Sequence, residues 1–162
     1  MGSPLGCTFA NYYMSHIEND VLSTTVNKPA LYAPFVDDII IVVNDEKHLS
    51  DLKEKMERKS VLKFTYEIGY NNLAFLDVNV KIHNERFQTS VHTTPTNSGN
   101  LLNYLSECPD KYKTGVITTL LHRARKICSD NTLFLCEVDR IKQLFINNNY
   151  PMSVINDCVK IY

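Results

Sequence analysis

Two adjacent carboxylates, Asp37 and Asp38, interrupt an otherwise apolar stretch running from Leu31 to Val43. An acid pair beside Ile39-Ile40-Ile41-Val42-Val43 cannot be buried bare, because removing an ionised carboxylate from water is costly. Two arrangements relieve that cost: the pair sits in a solvent-exposed turn, or it binds a divalent cation. Neighbouring strand residues point to opposite faces, so one acid would be the main metal ligand and the other would assist from the turn. Two-metal phosphoryl transfer needs at least one further carboxylate from elsewhere. A second set of candidates is basic. Lys111, Lys113, His122, Arg123, Arg125 and Lys126 lie in one helical segment and largely avoid its apolar face, which suits either contact with phosphates or simple solvation. Tyr66, Tyr70 and Tyr104 have rings able to stack on bases or to fill space.

The elements that position these residues follow from periodicity. Phe9, Tyr13, Ile17 and Val21 recur every four residues and predict a helix from Thr8 to Leu22. The two β-favouring runs around the acids predict a hairpin with its turn at Asp37-Asp38. Asn44 or Asp45 caps a second helix with Leu49, Leu52 and Met56 on one face and Lys55, Arg58 and Lys59 in its last turn, a polarity that suits the helix dipole. Lys63 to Ile68 alternates as a strand does. Leu73 to Ile82 and Arg86 to Val91 predict two more strands around a turn at His83-Asn84-Glu85. After Pro95 a polar loop, Thr96 to Asn100, marks an internal boundary. Three helices are predicted beyond it: one capped by Asp110 with Val116, Ile117, Leu120, Leu121, Ala124 and Ile127 on its face, one from about Leu133 to Asn147, and one starting near Pro151. The order implies an α+β fold with an antiparallel sheet, divided into residues 1–95 and 96–162.

Composition excludes several classes. No run approaches the roughly 20 apolar residues of a membrane span, and the start has neither the basic nor the apolar segment of a signal peptide. The five cysteines, at 7, 108, 128, 136 and 158, form no C-x-x-C pair and are expected to be free thiols, mostly in the core. Net charge is -1, yet residues 1–80 carry 7 Lys/Arg against 11 Asp/Glu while residues 81–162 carry 10 against 7. An acidic half followed by a basic half fits a metal site beside a phosphate-contacting surface, and it also fits chance.

Four short motifs appear in order: Gly2-Ser3-Pro4, Phe35-Val36-Asp37-Asp38, Phe75-Leu76-Asp77-Val78, and a tail of His92-Thr93-Thr94-Pro95, Asn103-Tyr104-Leu105 and Lys113 to Ala124. Together they resemble the reverse transcriptases of the Penelope-like retroelement group, relatives of telomerase, over essentially the whole chain. The resemblance implies a partial palm over residues 1–95 and a connection with an all-helical thumb over 96–162. It implies that Gly2, Ser3, Pro4 and Phe35 line the template and nucleotide pocket, although Phe35 stands where the family usually has Tyr. Asp37 would be a Mg²⁺ ligand with Asp38 beside it, Phe75, Leu76 and Asp77 the primer grip, and Lys111, Lys113, Arg123, Arg125 and Lys126 contacts to the nucleic-acid backbone. The implied partners are an RNA template, a DNA primer and a deoxynucleoside triphosphate, and the implied location is the nucleus.

The family's other palm aspartate and its fingers would lie before residue 1. This stretch alone is therefore expected not to polymerise DNA, and its incomplete sheet is expected to leave an edge open to self-association. The alternative is a non-catalytic nucleic-acid-binding protein that uses the basic helix. A third reading is an unrelated α+β protein with an exposed Asp-Asp turn.

Overall fold

The computed structural model describes residues 5–162. Two compact units divide the chain, Met1–Glu67 and Ile68–Tyr162. The polar loop at 96–100 therefore lies inside the second unit.

In the first unit, α1 (Gly6–Thr24) is followed by a hairpin of β1 (Leu31–Phe35) and β2 (Asp38–Val42), then α2 (Glu46–Lys59). The predicted stripe on α1 is used only in part: Ile17 and Val21 are buried, whereas Phe9 is 66% exposed. Ile17 and Val21 form a small core with Leu52 and Met56 of α2, bordered by Tyr32, Ile39, Ile41 and Phe64. Asp45 caps α2 by accepting the His48 N–H at 2.7 Å, and Lys59 pairs with Asp20 of α1 at 2.8 Å. Lys63 to Ile68 forms no strand. Its alternation is real, but among the described residues no strand pairs with it. The Phe64 N–H instead donates to Glu57 at 2.9 Å.

The second unit opens with a three-stranded antiparallel meander, β3 (Asn72–Phe75), β4 (Val78–His83) and β5 (Arg86–Val91), in the order β3-β4-β5. The single strand expected over 73–82 is broken by a turn at Leu76-Asp77. Three helices follow: α3 (Asp110–Ile127), α4 (Asn131–Asn147) and α5 (Met152–Val159). Ile117, Leu121 and Ala124 of α3 pack with Phe134, Val138, Ile141 and Phe145 of α4, together with Tyr150, Ile155 and Cys158. Each fully buried aliphatic or aromatic side chain contributes roughly 1.5–3 kcal/mol, so this core is the larger source of stability. Fold class is thus α+β, with two small antiparallel sheets and five helices among the described residues.

The loop before α3 is held down by one side chain. Asn148, just after α4, donates to the Gly99 carbonyl at 2.9 Å and accepts the Leu101 N–H at 3.0 Å, while its own carbonyl accepts the Tyr104 N–H at 3.1 Å. Gly99 has φ +70, a conformation that favours glycine, and a Cβ there would come within 2.9 Å of the Leu144 Cδ1, which would have to shift. Among the described residues no helix is long and apolar enough to cross a membrane. The cysteines are free, but only Cys158 is buried while Cys7 and Cys136 are exposed, so the expectation of mostly core thiols fails.

Candidate nucleic-acid interface

The acid pair is placed by a tight hairpin. Phe35 pairs with Asp38, so the loop residues are Val36 and Asp37, one position earlier than expected. Val36 carries φ 55, a left-handed conformation that a β-branched residue rarely adopts. Tyr32, Ile39 and Ile41 border the helix-packed core, and strand alternation puts Phe35 and Asp38 on the opposite face. Both acids are exposed. Among the described residues no group of three or more His, Cys, Asp or Glu is gathered to hold a metal ion. Two carboxylates at the end of a ribbon fall short of the oxygen set that Mg²⁺ chemistry needs, so the donors present do not fit a resident Mg²⁺. Gly2, Ser3 and Pro4 lie outside the described residues.

The primer-grip candidates occupy a second turn of the same kind. Phe75 pairs with Val78, and Leu76 has φ 53. Asp77 in that turn is paired with Arg123 of α3 at 2.9 Å, and its carbonyl accepts the His92 N–H at 2.8 Å. The turn is thereby fastened to α3.

The basic residues sort by partner. In the second unit Lys113, Arg123, Arg140, Lys142 and Lys160 each pair with an acid, Asp110, Asp77, Glu137, Asp139 and Asp157 respectively. Lys113 is 9% exposed and lies over the Tyr104 ring, so it has little left for an outside ligand. Arg140 grips Glu137 through two hydrogen bonds of 2.8 and 2.6 Å, which together with direct charge attraction raise the guanidinium pKa. Lys81, Arg86, Lys111, Arg125 and Lys126 form no ion pair among the described residues. Lys111 lies near the Tyr112 ring. Arg125 lies over Phe134 and donates to Asn131 at 3.3 Å, and Lys126 is exposed. The sequence supplied the α3 cations but could not sort the neutralised from the available. Lys81 and Arg86 went unmarked, since no helical face points to them.

The joint between α3 and α4 is bonded to the sheet. The outer edge of β5 receives it: Ser129 N–H donates to the Thr89 carbonyl at 3.0 Å, Thr89 N–H to the Ser129 hydroxyl at 3.1 Å, and the Thr89 hydroxyl to the Ile127 carbonyl at 2.6 Å. Gln88 donates to Asp130 at 2.7 Å, and Asp130 caps α4 by accepting Leu133 N–H at 2.9 Å. Those contacts, the Leu133 amide first, hold the Asp130 carboxyl below the usual range. The next joint, Asn148 to Pro151, turns through Asn149 at φ 66. Three-residue and four-residue joints between packed helices are the spacing of helix-turn-helix units.

Comparison with known proteins corrects the reverse-transcriptase expectation. No reverse-transcriptase family model matches, and the family that does match is of another kind. The palm, nucleotide-pocket and primer-grip assignments lose their basis with it. No curated protein and no solved structure matches the chain. The matching model spans α3, α4 and α5: residues 100–160 are similar to the animal helix-turn-helix domain.

Proposed function

We propose that this chain is a non-catalytic nucleic-acid-binding protein whose helical module docks on duplex DNA. The observation that carries the reading is the helix-turn-helix likeness of residues 100–160, a domain type that places helices against DNA. The charge pattern supports it. Residues 100–160 hold eight Lys/Arg against six Asp/Glu, and Lys111, Arg125 and Lys126 on α3 have no acid partner among the described residues. In this reading they contact phosphates, which gives sequence-independent, salt-dependent affinity. Arg123 shares its charge with Asp77 and contributes less. Exposed Ser153 and Asn156 on α5 are one turn apart on the helix and offer hydrogen-bonding groups suited to base edges.

The test is fluorescence anisotropy of the whole chain with a generic labelled duplex across a salt series. Binding in the micromolar range at low salt is expected, typical of non-specific contact. The plot of log affinity against log salt should become shallower by about 1.8 in the variant carrying Arg125→Gln and Lys126→Gln, since two phosphate contacts are lost. No binding by the parent chain at 50 mM salt, about the lower end of such a series, would refute the proposal.

A further inference from the structure

We infer that the β4–β5 hairpin is a second nucleic-acid contact, a basic arm fixed beside the helical module; this rests on the DNA-binding reading above. Register puts Lys81 opposite Gln88 and His83 opposite Arg86, so alternation gathers Lys81, His83 and Arg86 on one face near the hairpin tip. The tip turns through Asn84 and Glu85 at φ 49 and 61, both left-handed, as a two-residue I′ turn demands. That turn matches strand twist and makes the arm stiff. Lys81, His83 and Arg86 are all exposed, and neither Lys81 nor Arg86 has an acid partner among the described residues.

The arm's position is set by the bonds of Thr89 and Gln88 to the α3–α4 joint. Thr89 touches Ile127, the residue after Lys126, and Arg86 stands three positions along the strand, roughly 10 Å away at strand rise. The strand pair that carries Lys81 and Arg86 is therefore bonded to the joint that Arg125 and Lys126 immediately precede, and these are four of the second unit's five cations without an acid partner among the described residues. Lys111 is the exception, about 22 Å up α3 from Lys126. The acids nearby are few. Asp130 is already engaged by Gln88 and by the α4 amide, and Glu85 projects at the tip. A concentration of unneutralised positive charge beside a helix-turn-helix unit fits a phosphate backbone, whose charges are spaced about 1.7 Å apart along a duplex.

The experiment uses the full chain and the same labelled duplex, comparing the pair Lys81→Gln with Arg86→Gln, the α3 pair, and Glu85→Gln alone. The hairpin pair should weaken binding by about 10-fold to about 60-fold at 0.1 M salt and flatten the salt slope by about 1.8. Glu85→Gln, which removes the tip's one acid, should tighten binding two-fold or more by the same electrostatics, on the order of 0.5 kcal/mol. That gain separates charge from folding, because a damaged hairpin would only lose affinity. Loss in the α3 pair with unchanged binding in the hairpin pair would overturn the arm and leave the DNA-binding function standing. Absence of binding by the parent chain would overturn both.

Discussion

The hairpins at Phe35-Val36-Asp37-Asp38 and Phe75-Leu76-Asp77-Val78 share a backbone and differ in what the aspartate does. Each has a two-residue loop closed by its Phe. In each the first loop residue is aliphatic and held at positive φ, 55 in Val36 and 53 in Leu76. Each second loop residue is Asp. Asp77 is spent on an ion pair with Arg123, whereas Asp37 has no ion pair among the described residues. The same local sequence pattern thus builds one turn twice, and among the described residues neither turn gathers three or more metal-ligating side chains. An acid in such a turn is evidence of the turn, and its partners decide its role.

The largest difference is in what each hairpin rests on. Among the described residues the second belongs to a unit with ten buried core residues, the first to one with four. Phe145 is fully buried against Tyr150, with ring centroids 4.8 Å apart. Phe145→Ala should cost about 3–5 kcal/mol, read from urea unfolding. Hydrogen-exchange protection of β4 and β5 should fall with it, because Thr89 is bonded to the helical joint. Full protection of those strands in the variant would break the claim that the helices hold the arm. The next effect tests the likeness itself. Val36→Gly and Leu76→Gly each remove a left-handed strain of roughly 1–3 kcal/mol at a glycine entropy cost of about 0.5–1 kcal/mol. Both should stabilise by about 1 kcal/mol, and loss of stability at one site alone would end the equivalence.

A smaller effect separates the aspartates. Asp77→Ala should destabilise by about 0.2–1 kcal/mol, the range of a partly exposed pair, and should raise duplex affinity by freeing Arg123. Asp37→Ala should stay within about 0.5 kcal/mol, as expected of an exposed residue without a partner. Thermal melts of the two variants side by side, with duplex titrations, check both statements. Equal losses would mean that the Arg123 contact is not what distinguishes the turns.

Periodicity made most of the fold legible. The faces of α3 and α4 were readable because Ile117, Leu121, Ala124, Val138, Ile141 and Phe145 recur at helical spacing. Asp45 accepts an amide at its helix start as expected, whereas Asp110 makes no side-chain cap and Asp130, unmarked in the sequence, caps α4. Turn positions were less legible: Val36 and Leu76 are poor candidates for positive φ, so nothing local separated β3 from β4 or moved the first turn off Asp38. The strand expected at Lys63–Ile68 had the right alternation and no partner, which a single segment cannot reveal. At the site, residue types were legible and neutralisation was not, since Arg123 meets an acid 46 positions away and Lys113 meets a ring nine positions back. The short acid motifs encode turns, and a turn by itself does not carry the chemistry of a polymerase. The helix-turn-helix spacing lay in the joints, which in the sequence are only the gaps between three predicted helices.

The last and smallest effect is acid dependence, and it contrasts two carboxylates that each accept a backbone amide. Glu57 in the first unit takes the Phe64 N–H, which, ahead of Lys63 and Lys53, lowers its pKa. Asp130 in the second takes Leu133 N–H and then Gln88, with the same direction. A carboxyl whose folded pKa is lowered adds stability that is fully present above its unfolded value, near 3.8 for Asp130, and lost as pH falls through the lower folded value. Asp130→Asn keeps a capping oxygen but no charge. Its melting temperature should therefore sit below the parent's by a constant margin at neutral pH, and the two should converge once pH drops below about 3.8. Glu57→Gln should show the same convergence from a slightly higher pH, set by the ordinary glutamate value near 4.5. A margin at Asp130 that persists unchanged into acid would show that the Gln88 contact, and with it the link between β5 and α4, owes nothing to the carboxylate charge.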